Sequence, residues 1–183
     1  LFRSSGPVRM TRRRWAPLNH REKEDTWLRL YGYRIDPGLR TPITTVDEAL
    51  VVFSRLINMD LKSGFRAKAR RAYLAALQGG RCRIDRMREL RPDLILDDCD
   101  ETVADFRYLR LWEFNHVYDR ATHSRGEQFA ISGSDCARRK WANVLRHCME
   151  DTVLLCRECH RKVTELEAQI AIATNRILLG IDR

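Results

Sequence analysis

Cys156-Arg157-Glu158-Cys159, followed at once by His160, is the densest run of metal-binding chemistry in the sequence. Two thiolates three positions apart can grip one Zn²⁺ from a tight turn, and two further ligands would close a tetrahedral structural site. A partner pair is sought after a glycine turn. Gly79-Gly80-Arg81-Cys82-Arg83-Ile84-Asp85 offers one, with Asp85 standing where a second cysteine is expected. Carboxylate oxygen also ligates zinc, so Cys82, Asp85, Cys156 and Cys159 form a candidate zinc set, with Cys99, His147 or Cys148 as substitutes for Asp85. Without the ion, the same residues would be an eroded knuckle. The six cysteines have irregular spacing and do not form a secreted disulfide framework, which points to a reducing compartment.

These groups need elements to hold them. Residues 22–32 suit a short helix, and Asp36-Pro37-Gly38 marks a turn. Thr45-Val46-Asp47-Glu48 has the capping-box pattern, and Val46, Ala49, Leu50, Phe53, Leu56 and Ile57 recur at helical spacing, so a helix is expected to about Leu61. After Ser63-Gly64 a second helix is expected from Phe65 to Leu77, stopped by Gly79-Gly80. Its basic residues Arg66, Lys68, Arg70 and Arg71 are candidate phosphate contacts, or simply a solvated face. Leu111 to Val117 reads as an apolar strand ending in Asn115 and His116, and Asp151 to Cys156 as a second strand after an insertion over 119–150. A helix through Val163, Leu166, Ile170 and Ile177 follows. Trp112, Phe114 and Tyr118 are expected to pack, and His123 to lie on a surface loop. The fold class is therefore α+β: a helical region over 22–78, then a small two-stranded core over 79–183 that carries an acidic loop, 93–105. A two-stranded sheet alone is marginal in water, so zinc and the flanking helices would have to stabilise it.

The order of knuckle, strand ending in a polar residue plus His, strand ending Leu154-Leu155-Cys156-x-x-Cys159-His160, and helix resembles the HNH endonuclease family. Its core is a ββα-metal fold often stapled by zinc. The resemblance spans roughly residues 79–172 and is strongest in VLLCRECHRKVTE. It implies His116 as the general base that activates water, Asn115 and His160 as ligands of a catalytic divalent cation such as Mg²⁺, and Asp151 at the position of the loop-orienting middle Asn. The chemistry is coherent, because a divalent cation polarises a phosphate while a neutral imidazole removes a proton from water. Asn115 stands where the family commonly has Asp. An amide keeps an oxygen ligand but loses its charge, which weakens a site for a hard cation.

Charge points to the partner class. Of 183 residues 34 are Lys or Arg against 25 Asp or Glu, a net charge of +9, and a count along the sequence gives 29 Arg to 5 Lys. Arginine suits planar, bidentate contact with phosphate, although a biased genome would also enrich it. Residues 1–21 form a basic arm with Arg9, Arg12, Arg13 and Arg14, whereas 93–105 carries six acids and no base, and is expected to face away from any nucleic acid. The acid-free, Arg-rich opening resembles the end of an organelle transit segment, so a mitochondrial matrix location is expected. No apolar stretch is long enough for a transmembrane span. Three functions fit these features. The first expectation is a non-catalytic, RNA-binding component of a large ribonucleoprotein such as the mitochondrial ribosome, with rRNA and neighbouring proteins as partners. The alternatives are an active metal-dependent HNH endonuclease and an accessory subunit of an organellar membrane complex.

Overall fold

A computed structural model describes residues 28–117, 131 and 134–179. The basic arm with Arg9, Arg12, Arg13 and Arg14, and the positions Tyr118 and His123, lie outside the described residues. A π-helical turn, Leu28–Gly32, runs into the short helix α1, Tyr33–Ile35, and Asp36 ends it by capping the 3₁₀ turn Pro37–Arg40. Helix α2, Val46–Ile57, begins with the expected capping box: Thr45 Oγ1 accepts from the Glu48 N–H, and the Thr45 N–H donates to the Glu48 carboxylate. It buries Ala49, Val52, Phe53 and Leu56, but ends at Ile57 rather than near Leu61. Asn58 stops it, donating from its backbone to Arg55 and from Nδ2 to the Ser54 carbonyl at 2.9 Å. Helix α3, Ser63–Leu77, starts at the serine expected to break the chain and packs along α2.

Helix α3 closes as the double glycine demands. Gly79 and Gly80 take φ of +85° and +61°. Their N–H groups return to the carbonyls of Ala76 and Ala75, a Schellman arrangement that satisfies the helix end. Gly80 is also a steric requirement, because a Cβ there would sit 2.5 Å from Cζ of the buried Phe106. Gly80→Ala combines left-handed strain with this clash. We expect a loss of about 3 kcal/mol, which lowers the melting temperature by roughly 10 °C. Calorimetry against Gly79→Ala, where a Cβ meets open space, separates the clash from the backbone term.

Beyond the glycines the chain makes helix α4, Ile84–Leu90, then a long loop, then strand β1, Trp112–His116. Helix α5, Ser134–Arg138, and helix α6, Trp141–Asp151, precede strand β2, Thr152–Cys156, and helix α7, Arg157–Leu178. The sheet is antiparallel, pairing Trp112 with Cys156, Phe114 with Leu154 and His116 with Thr152. The described residues are thus helices around one small two-stranded sheet, an α+β fold. Every residue of β2 is buried, because α4, α6 and α7 all pack on it. Its unbroken apolar run follows from that position. Gln78, buried at the end of α3, ties the halves together. Its Nε2 donates to the carbonyls of Cys148 and Thr152 at 2.9 and 3.1 Å, and its Oε1 accepts the Leu154 N–H at 2.5 Å.

Candidate metal centre and histidine cleft

Four cysteines converge. One sulfur each from Cys82, Cys99, Cys156 and Cys159 lies within 4.8 Å of the others. Cys82 follows the Gly79-Gly80 turn. Cys156 closes β2 and caps α7, and Cys159 lies one turn into that helix. The Cys156 N–H donates to Cys82 Sγ at 3.5 Å, and Cys99 Sγ stands 3.8 Å from Cys156 Sγ. Burial pushes the Cys82 thiol up to about 12 and raises Cys159 as well. Cys156 moves down despite its burial, because the Cys159 backbone N–H and the surrounding thiols donate to it. The helix N-terminus where it stands also favours a thiolate.

The fourth member of the cluster corrects the first-ranked set, since Cys99 and not Asp85 joins it. Cys82-x-x-Asp85 is no knuckle: α4 begins at Ile84, which puts Asp85 in a first helical turn with its carboxylate on Arg81 and Arg83, each at 3.4 Å. Cys99 arrives instead on the acidic loop. That loop turns back onto the protein: Asp93 pairs with Arg91, Asp97 with Lys162 and Asp98 with Arg88. The Cys82 N–H donates to the Glu101 carbonyl and the Val103 N–H to the Gly80 carbonyl, both at 2.8 Å, and Arg81 bridges to Thr102. The acids of 93–105 close after Arg88 and Arg91 were the sequence signal for this return. The other substitutes lie elsewhere. Cys148 belongs to a separate apolar cluster with Leu74, Ile131, Cys136 and Val144, and His147 faces the opposite end of the sheet.

That opposite end holds the histidines. Asn115, His116 and His160 line one open cleft of about 630 Å³, together with Arg91, Thr164 and Glu167. No protein-family model, curated protein or solved structure matches the chain. The cleft is therefore read from its own geometry. Strand β1 delivers Asn115 and His116 at its end, and His160 lies on the first turns of α7. The Asn115 Nδ2 donates to the His116 carbonyl at 2.9 Å. Behind His116 stands a residue outside the expected site: the buried His147, with ring centroids 5.1 Å apart. Its Nδ1 lies 2.8 Å from the Asp151 carboxylate. Asp151 is also fixed through its carbonyl, which accepts the Val117 N–H at 3.1 Å. Helix α6, inside the expected insertion, thus stands behind His116 through His147. Val144, His147 and Cys148, its buried face, follow helical spacing but include only one strongly apolar residue, a weak periodic signal. At the cleft mouth Arg91 bridges Asp93 and Glu167, and the bonds to Asp93 hold its pKa up.

The basic residues of α3 are mostly structural. Arg70 is 8% exposed and donates to the carbonyls of Cys136 and Arg139 at 2.6 and 2.9 Å, with its guanidinium 5.1 Å from the Trp141 ring. Arg71 donates to the Trp112 carbonyl and pairs with Glu113. Arg66 donates to Asp60 and to the Leu61 carbonyl, and Lys68 is partnered as well. Arg70 and Arg71 thus knit α3 to α5 and to β1, a role in neither reading of the run as phosphate contacts or as a solvated face. Trp112 is buried and Phe114 packs against both apolar clusters, as expected of packing residues. Among the described residues, no helix is long and apolar enough to cross a membrane.

Proposed function

We propose that this chain is an HNH-type module, stapled by zinc at Cys82, Cys99, Cys156 and Cys159, that hydrolyses nucleic-acid phosphodiesters at the Asn115–His116–His160 cleft. The observation that carries the reading is the cleft itself. Histidines 44 positions apart, with an amide between strand and helix, meet in one open depression at the end of the sheet. The four thiols suit zinc, whose structural sites are tetrahedral and thiolate-rich. At the cleft, the Asn115 amide oxygen and the His160 imidazole are the ligands for a divalent cation, with the Glu167 carboxylate in the same depression. Such a cation polarises a phosphate and stabilises the departing oxygen. His116, as neutral imidazole, takes the proton from the attacking water, and His147, held by Asp151, backs its ring. Because Asn115 brings no charge, cation affinity is expected to be weak, and activity to need millimolar Mn²⁺ or Mg²⁺.

The test is cleavage of supercoiled plasmid and of single-stranded RNA by the purified full chain, with Mn²⁺ or Mg²⁺ and with a chelator added. Cleavage that requires the cation and is lost in His160→Ala supports the reading. Equal cleavage by both proteins places the activity elsewhere. Asn115 favours a second reading, in which the module is a non-catalytic, RNA-binding component of a ribonucleoprotein such as the mitochondrial ribosome. Absence of cleavage, with RNA affinity that falls steeply as salt rises, supports that reading instead.

A further inference from the structure

The four clustered cysteines are not equivalent. Cys82, Cys156 and Cys159 are buried, at 3, 8 and 7% exposed, and sit on or against the fixed frame of β2 and α7. Cys99 alone is half-buried and comes from an irregular loop. A cleft of about 520 Å³, lined by Arg81, Cys82, Arg88, Asp98 and Cys99 among others, opens onto this side of the cluster, and Cys99 is the more exposed of its two cysteines. The ion pairs that hold the loop, Arg88–Asp98 and Lys162–Asp97, are exposed, a kind that contributes little to stability. A small polar oxidant therefore reaches Cys99 first. The sulfur that faces it is Cys156, 3.8 Å away, and the loop is the side able to close that gap to bonding distance.

We propose that Cys99 is a peroxide-reactive site, and that its oxidation to a disulfide with Cys156 ejects the bound metal and so opens the fold. The inference rests on the zinc reading above. In the first step the Cys99 thiolate attacks a peroxide oxygen: the S–O bond forms, the O–O bond breaks, and hydroxide leaves and is protonated to water. Cys99 is then a sulfenic acid. Cys156 thiolate attacks that sulfur, the S–S bond forms, and a second hydroxide leaves to become water. Two electrons pass from the sulfur pair to the peroxide. Two ligands, Cys82 and Cys159, remain, too few for a closed tetrahedral site, and the ion goes to solution. A dithiol returns two electrons and restores the pair. Cys136 and Cys148 provide an internal control, being fully buried with thiols pushed up to about 11 and about 12.

The experiment treats the full metal-loaded chain with graded hydrogen peroxide. Released zinc is followed with a chromogenic chelator, and disulfides are mapped by peptide mass spectrometry after alkylation. The expected result is one zinc released per Cys99–Cys156 disulfide, reversed by dithiothreitol and added zinc, with Cys136 and Cys148 untouched. Cys99→Ser, which removes one zinc ligand and so weakens the site, should lack the cross-link. A first-formed Cys156–Cys159 disulfide in the native chain, or release without a disulfide to Cys99, overturns the proposal, whether or not the Cys99→Ser variant folds. A purified chain that holds no zinc overturns the metal reading alone, and the peptide map of the peroxide-treated chain still decides the pairing.

Discussion

Stripping zinc from the chain with a strong chelator is expected to destabilise the sheet half severely. The same outcome is expected for Cys82→Ser. The strands are five residues each and, among the described residues, pair only with one another, a size that is marginal without reinforcement. Three chain segments distant in sequence bring their sulfurs together: the turn after α3, the acidic loop, and the β2–α7 junction. A structural zinc site supplies about 10 kcal/mol or more of folding free energy, comparable with the whole stability of a domain this size. Calorimetry should show a melting temperature lower by tens of degrees, or no transition, and metal analysis should give one zinc per native chain. Cys136→Ala, outside the cluster, should keep its zinc and lose only a modest cavity term. A native melting curve after complete chelation would remove zinc from the account of the fold.

The pH response separates the two states further. In the metal-free fold Cys82 is pushed up to about 12 by burial and Cys159 is raised too, whereas the same thiols in the unfolded chain ionise near about 8.5. Their contribution is fully present below that value and is lost as pH rises through the alkaline range. The loaded form behaves oppositely, because thiolates are the ligands and protons compete with the ion. Acid weakens it, and mild alkali does not. Melting curves at pH 6, 7.5 and 9 with and without zinc should therefore diverge as pH rises.

What was legible in the sequence follows from how local each signal is. The capping box at Thr45, the Gly79-Gly80 stop and the strand ending in Asn115-His116 depend on neighbours in the chain, and the structure has all three. The pair Cys156 and Cys159 was equally local. Cys99 was harder, since its place depends on a loop that returns through charge pairing across as many as 65 positions, as between Lys162 and Asp97. An apparent spacing, Cys82-x-x-Asp85, drew attention to the wrong residue because helix α4 starts inside it. Helix α6 escaped for a different reason: its buried face includes His147 and Cys148, which hydropathy patterns count as weak. Arg70 and Arg71 show the converse error, because a basic run looks solvated until its guanidinium groups are found donating to backbone carbonyls of α5 and β1.

His116→Ala is expected to lower the cleavage rate 10²- to 10⁴-fold, about 2.7–5.5 kcal/mol of barrier, and to leave the fold intact. The loss falls on the chemical step, because a base acts on the attacking water and not on the bound phosphate. Affinity for a non-cleaved duplex should then stay within about twofold of native, while the turnover number collapses. The fold should survive because the strand end is held through backbone. His116 pairs with Thr152 across the sheet, and the next N–H, that of Val117, is fixed by the Asp151 carbonyl. The ring itself is half-buried, touching His147 on one side and the cleft on the other. Truncation therefore removes a contact worth about 1 kcal/mol, and the melting temperature should fall by only a few degrees. Loss of duplex binding along with turnover would instead make His116 a binding group, and the cleft a docking site rather than a centre of hydrolysis.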